Sequence, residues 1–127
     1  MLTVLVTGSA GQVGTELARR VWPAGVRVVG VDLAELDLTD TAATLASVAA
    51  VAPDAVINVA AYTAVDRAES DVLNAWKVNA LAPAALAVAT AARGVPLLHV
   101  STDYVFDGRA AVPYLPSDPV APLGVYG

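Results

Sequence analysis

Two clusters of residues have the types and spacing to do chemistry, and they lie at opposite ends of the chain. The first is Thr7-Gly8-Ser9-Ala10-Gly11-Gln12-Val13-Gly14, with glycine at every third position from Gly8. It follows a run of β-branched, apolar residues and precedes a helical pattern. In such a turn Gly8 permits a sharp reversal, Gly11 lets the backbone approach a pyrophosphate with no Cβ in the way, and Gly14 lets the helix lie close to the strand. Gln12 and Val13 open the helix, whose free N–H groups and dipole favour an anion. Asp32 ends the next apolar run, 18 residues after Gly14, where a carboxylate can accept the hydroxyls of an adenosine ribose. The turn predicts a dinucleotide site. An ordinary strand–turn–helix with incidental glycines is the alternative, and the placement of Asp32 weighs against it. Asp32 would repel a 2′-phosphate and no arginine directly follows it, so NADH is expected over NADPH. The second cluster gathers a hydroxyl, a carboxylate and a phenol: Thr102, Asp103 and, after a stretch rich in proline, Tyr126. Read singly, Thr102-Asp103 is an Asx or ST turn after a strand, and Tyr126 is an amphipathic rim residue.

These residues need a scaffold that brings both ends together. Apolar runs at Leu2–Thr7, Val26–Val31, Ala55–Val59 and Val95–Ser101 predict strands, with Glu35–Leu38 a short additional one. Between them, Gly11–Trp22 has helical spacing and is stopped by Pro23 and Gly25. Thr39 or Asp40 caps a helix over Thr41–Val51, stopped by Pro53. Asp71–Arg93 reads as one long helix or two joined near Pro83, and residues 102–127 as irregular chain. Uninterrupted apolar strands alternating with helices predict an α/β fold, a doubly wound parallel sheet of the Rossmann type. Ligands bind such sheets beyond the C-terminal ends of the strands. Asp37 and Leu38 are therefore expected to border an adenine, although a capping acid and a core leucine read equally well. Ala60, Ala61, Tyr62 and Thr63 leave another strand end, where small residues admit a cofactor, and Val100 is expected at the same edge. Among the remaining residues, Asp66, Glu69 and Asp71 are expected to be a solvated face and helix start. His99, Trp22 and Trp76 are expected to be packing residues.

The 127 residues carry 57% hydrophobic and 15% charged side chains, enough for one ordinary globular core. Net charge is −5 and the basic residues are scattered, so no nucleic-acid partner is expected. There is no cysteine, which rules out disulfides and cysteine-bound zinc within these residues. The longest apolar stretches, 42–52 and 81–92, fall short of the ~20 residues of a membrane span, so a cytoplasmic protein with no membrane partner is expected.

The segments TGSAGQVG, LDLTD, NVAAYTAVDRAES, VNA (Val78–Ala80), HVSTDYVFDG and PLGVYG follow one another over nearly the whole chain. Together they resemble the extended short-chain dehydrogenase/reductases, and within them the dTDP-4-dehydrorhamnose reductase branch. AAYTAVDRAE and STDYVFDG are the specific pieces. Sugar-nucleotide dehydratases and epimerases usually carry an acid and VYG after Thr-Asp, where this chain has Tyr104-Val105-Phe106. The resemblance implies NADH or NADPH as cofactor and a dTDP-4-keto-6-deoxy sugar as substrate, reduced to dTDP-L-rhamnose. It implies Tyr126 as general acid, with Thr102 positioning it and touching the sugar, Asp103 on the substrate, and Asn79 supporting a water or backbone relay. A phenol has an ordinary pKa of about 10, and proton delivery near neutral pH calls for a lower one. In the family, a threonine hydroxyl and a lysine four residues after the tyrosine provide this. Here that lysine would fall three residues past Gly127, along with the last strands and the sugar-nucleotide domain. Residues 1–127 are therefore expected to be an incomplete Rossmann domain of a longer protein, with an uncovered strand edge at Val95–Ser101. Weak dinucleotide binding and no sugar reduction are expected of them alone. Some members link a homodimer through Mg2+ near the helix that holds Glu16, although a solvated glutamate is the plainer reading. Two competing functions stand: an NAD(P)-binding regulator resembling the regulatory subunit of methionine adenosyltransferase, and a nucleotide-sugar epimerase or dehydratase.

Overall fold

The computed structural model describes residues 1–127. The most apolar run, Leu2–Thr7, becomes strand β1 near the middle of a four-stranded sheet ordered β2-β1-β3-β4. Its neighbours are β2 (Val26–Val31) and β3 (Ala55–Asn58), and β4 (Leu97–His99) lies outside β3. All pairings are parallel, with Leu5 opposite Val29 and Val56, and Val56 opposite Leu97. The chain moves outward from β1 to β2, then returns past β1 to β3 and on to β4. That reversal places a topological switch point between the C-terminal ends of β1 and β3, where a doubly wound sheet opens a crevice.

Helix α1 (Gln12–Arg19) starts directly from the glycine turn, and α2 (Thr41–Val51) starts at Asp40, whose carboxylate accepts the Ala43 N–H at 2.9 Å. Past β3 come two short helices, α3 (Val65–Ala68) and α4 (Val72–Trp76), a π-helical turn at Lys77–Leu81, and α5 (Ala82–Arg93), which ends on Gly94 at φ 66°. From Val72 to Arg93 the helix is continuous. Pro83 follows directly on the π-helical turn, and the helix passes the proline unbroken. Leu5 and Val56 from the sheet, Val48 from α2, and Leu86 and Ala89 from α5 form the core, and every one is buried. Alanines at 82, 85 and 89 let α5 lie close to its neighbours. By length and composition Val72–Arg93 could also cross a membrane, but its inner face is the one that covers the sheet.

The structure departs from expectation in four places. Glu35–Leu38 is not a strand: the Glu35 and Leu36 N–H groups bond back to the Asp32 carbonyl at 3.0 and 2.8 Å. The Asp37 carboxylate likewise takes the Thr39 N–H at 2.9 Å. These local bonds displace a strand ladder. The strand expected over Val95–Ser101 pairs only at Leu97–His99. His99 is exposed rather than packed in a core, because β4 is an edge strand with no outer neighbour. Trp76 is 60% exposed and does not serve as a packing residue, whereas Trp22 is half-buried and donates to the Leu17 carbonyl at 2.9 Å. Residues 102–127 hold a single 3-10 turn, Asp103–Val105, and are otherwise irregular as expected.

Candidate functional site

At the switch point lies a crevice of about 710 Å³, within the range of small-molecule sites. The glycine turn forms one wall. Gly8 has φ +78°, and a Cβ there would lie 2.6 Å from the Ala60 backbone. A Cβ on Gly14 would lie 2.2 Å from the Gly8 carbonyl oxygen. Gly8 and Gly14 are thus required by the close packing of turn, helix and β3 loop. Gly11 is different: a Cβ there would meet only the Gly8 oxygen, at 3.3 Å, and its side faces open space. Gly11 also opens α1 with no side-chain cap, so the first N–H groups of the helix are left for a ligand. A cradle with no Cβ and several free donors fits a diphosphate.

The opposite rim carries acids. One Asp32 oxygen accepts the Ala10 N–H at 2.7 Å and the other accepts the Leu33 N–H at 2.8 Å. Asp32 therefore braces the glycine turn as well as lining the crevice. Asp37 also lines it, and its pKa is lowered by the Thr39 hydroxyl, then by the Thr39 N–H, with Lys77 adding a smaller attraction. Leu38 lines the crevice with one side and packs against the core with the other.

The third wall is Ala60–Thr63, with Val78 behind it. Asn79 clamps this wall from the π-helical turn. Its Oδ1 accepts the Tyr62 N–H at 2.8 Å, and its Nδ2 donates to the Tyr62 carbonyl at 3.0 Å. Asn79 itself does not line the crevice. The Tyr62 hydroxyl donates to Asp71 at 3.1 Å; desolvation first, and that bond second, raise the phenol's pKa.

Thr102, Asp103 and Tyr126 form a separate group beyond the end of β4. The Thr102 hydroxyl accepts the Tyr104 N–H at 3.2 Å, as expected of a threonine that opens a turn. Tyr104 and Tyr126 meet edge to face with ring centroids 5.4 Å apart. Tyr126 is thereby brought to the turn that Thr102 begins, without a hydrogen bond between the two. A residue that sequence patterns did not single out for this site holds the segment: Glu69 accepts the Val125 N–H at 2.8 Å across 56 residues of chain. Val100 is bonded to β3 through its N–H and does not line the crevice. Glu16 forms an exposed pair with Arg19 at 3.3 Å.

The order of the strands and the glycine turn at their switch point define a Rossmann-type fold of the dehydrogenase/reductase kind. Residues 2–127 match the RmlD substrate binding domain family, and the chain belongs to that family. It is 47% identical over 127 residues to a dTDP-4-dehydrorhamnose reductase of Burkholderia thailandensis, covering 99% of this chain and 42% of that protein. It is 41% identical over 126 residues to the reductase of the same name from Sinorhizobium fredii, with the same coverage. A crystal structure of dTDP-4-dehydrorhamnose reductase from Bacillus anthracis in complex with NADP superposes with a TM-score of 0.96 at 34% identity, covering all of this chain and 46% of that one. The chain thus spans less than half the length of the relatives it matches.

Proposed function

We propose that this chain is the cofactor-binding portion of a cytoplasmic, NAD(P)H-dependent reductase that converts the 4-keto group of dTDP-4-dehydro-6-deoxy-L-mannose to the alcohol of dTDP-L-rhamnose. The observation that carries this reading is the pairing of two sites on one sheet edge: the crevice at Gly8–Gly14 and Asp32, and the Thr102–Asp103–Tyr126 group beyond β4. Relatives named for this reaction align across both. The nicotinamide supplies hydride when bound. Gly11 and the start of α1 take the diphosphate, Asp32 takes the adenosine ribose, and Ala60–Thr63 lie along the cofactor. Tyr126 donates the proton that the developing alkoxide needs, Thr102 orients it, and Asp103 holds the sugar. Asn79 acts through Tyr62, by fixing the wall on which the cofactor rests. The competing roles, a binding-only regulator or an epimerase, are outcomes of the test below.

Asp32 supports NADH as the better cofactor, since its charge opposes a 2′-phosphate; the NADP in the Bacillus anthracis relative makes the comparison with NADPH essential. The test is oxidation of each reduced cofactor with the 4-keto sugar nucleotide, in the protein that carries this chain. Turnover in the wild type and its loss in Tyr126→Phe are expected. Cofactor binding without oxidation would indicate a regulator, and sugar isomerisation without net oxidation would indicate an epimerase; either result replaces the reductase reading.

A further inference from the structure

Below the crevice, a polar row crosses three strands in register. Thr7 of β1 pairs with Asn58 of β3, and Asn58 pairs with His99 of β4. Thr7 and Asn58 are buried, and His99 closes the row at the open sheet edge. The Thr7 hydroxyl donates to Asn58 Oδ1 at 2.7 Å, and the Ala60 N–H donates to the same oxygen at 3.2 Å. A backbone N–H can only donate, so the amide atom facing Ala60 must be the oxygen. The amide nitrogen is then turned to the other side, where it lies 3.0 Å from His99 Nδ1. An amide NH2 also only donates. His99 Nδ1 must therefore accept, and a neutral ring that accepts at Nδ1 carries its proton on Nε2.

We propose that His99 is a positioning residue for the crevice, that its neutral ring carries the proton on Nε2, and that its Nδ1 lone pair accepts from the Asn58 amide that anchors Ala60. The crevice wall has little slack at this point, since even a Cβ on Gly8 would lie 2.6 Å from Ala60. Were the amide to turn over, its NH2 would oppose the Ala60 N–H, donor against donor, and the wall would have to move. The Ala60 N–H alone selects the amide orientation, because a hydroxyl and a neutral imidazole can each accept or donate. His99 supplies the acceptor that the buried NH2 then requires. The consequence for ligand binding rests on the dinucleotide reading given above, whereas the tautomer does not.

His99 is the only histidine among these residues, so long-range 1H–15N correlation spectra of the neutral ring report one imidazole; should the protein tested hold others, His99→Gln assigns the signal. An unprotonated Nδ1 and a protonated Nε2 are expected. In Asn58→Asp the carboxylate can only accept, and the proton is expected to move to Nδ1. For binding, His99→Leu leaves the buried Asn58 NH2 without an acceptor and is expected to weaken NADH binding about tenfold, whereas His99→Gln keeps an acceptor and loses about twofold or less. A protonated Nδ1 in the neutral wild type, or equal binding losses in the Leu and Gln variants, overturns the proposal; the wild-type spectrum decides even if Asn58→Asp does not fold. An Nε2–H ring in a protein that binds neither NADH nor NADPH would overturn the dinucleotide reading, and the positioning role with it, while leaving the tautomer assigned.

Discussion

Alanine at Gly14 and alanine at Gly11 should fail in different ways, although the residues lie one helical turn apart in the same motif. At Gly14 the added Cβ would sit 2.2 Å from the Gly8 carbonyl oxygen and 2.6 Å from the Ser9 Cα. Both are backbone atoms, so no side chain can swing aside. Overpacking of this kind costs about 1–3 kcal/mol, and a contact this short against rigid backbone belongs at the top of that range. Alanine recovers about 1 kcal/mol of helix propensity at the same position. The net expectation is a loss of about 2 kcal/mol, or roughly 30-fold in the ratio of folded to unfolded protein. At Gly11 the backbone is extended (φ −72°, ψ 176°), which any residue adopts, and the nearest atom to a new Cβ is one oxygen at 3.3 Å. Stability there should change by no more than about 1 kcal/mol. The new methyl group would instead stand where a diphosphate has to approach, and dinucleotide affinity should fall more than about tenfold, a cost above about 1.4 kcal/mol. Urea unfolding measures the first quantity and fluorescence titration with NADH or NADPH the second. Unchanged affinity in Gly11→Ala would refute the placement of the diphosphate, and unchanged stability in Gly14→Ala would refute the packing of helix on turn.

Three further outcomes follow from the hydrogen bonds. Asn79→Ala strips both partners from the half-buried Tyr62 backbone and should cost about 1–3 kcal/mol, with weaker cofactor binding and kcat affected less than KM; unchanged affinity would show that the Ala60–Thr63 wall holds its shape without the clamp. The Asp107 pKa is lowered by the Tyr114 hydroxyl and then by the Arg109 N–H. Its contribution is therefore present above the ordinary carboxylate pKa and lost as pH falls through the lowered value, so proteolysis between Asp107 and Tyr114 should accelerate on acidification in the wild type and lose that dependence in Asp107→Asn. The Tyr62 pKa is raised, so its contribution is present below the ordinary phenol value and lost as pH rises through the raised one; Tyr62→Phe should flatten the alkaline limb of a stability–pH curve, and an unchanged limb would contradict the partial desolvation of that phenol and its bond to Asp71.

Features carried by local pattern were legible in the sequence. β1, β2, α1 and α2 follow from apolar periodicity and from turn residues beside them. The glycine turn and Asp32 stood out because a motif and its flanking elements agreed. What escaped were features that apolar periodicity does not encode: local side-chain bonds, and partners far along the chain. Glu35–Leu38 has a strand-like composition, but Asp32, Glu35 and Asp37 sit close enough to bond neighbouring N–H groups, and that competition is invisible to periodicity. His99 looks like a core residue from its apolar neighbours, but β4 has no outer strand among residues 1–127, so the uncovered edge expected there leaves it exposed. Glu69 read as one of several surface acids, and only the return of the chain at Val125 gives it a partner. Resemblance points to Asn79 for a relay, yet its contact is with the Tyr62 backbone, reached because the π-helical turn sets its position on the helix.

The two halves of the candidate site are held by different means. The crevice is built from the ends of paired strands, and each wall is tied to the next: Asp32 to Ala10, Asn58 to Thr7 and Ala60, and Asn79 to Tyr62. Moving one wall breaks bonds in another, so its shape is preorganised for whatever binds there. The Tyr126 segment is held by contacts from three sides: the Val125 N–H donates to Glu69, the Ala121 N–H donates to the Val105 carbonyl at 2.8 Å, and the Tyr126 ring meets Tyr104 edge to face. Both halves of the candidate site are thus tied to the C-terminal end of one sheet, which is what the proposed reduction asks of them, because hydride and proton must converge on the two atoms of a single carbonyl.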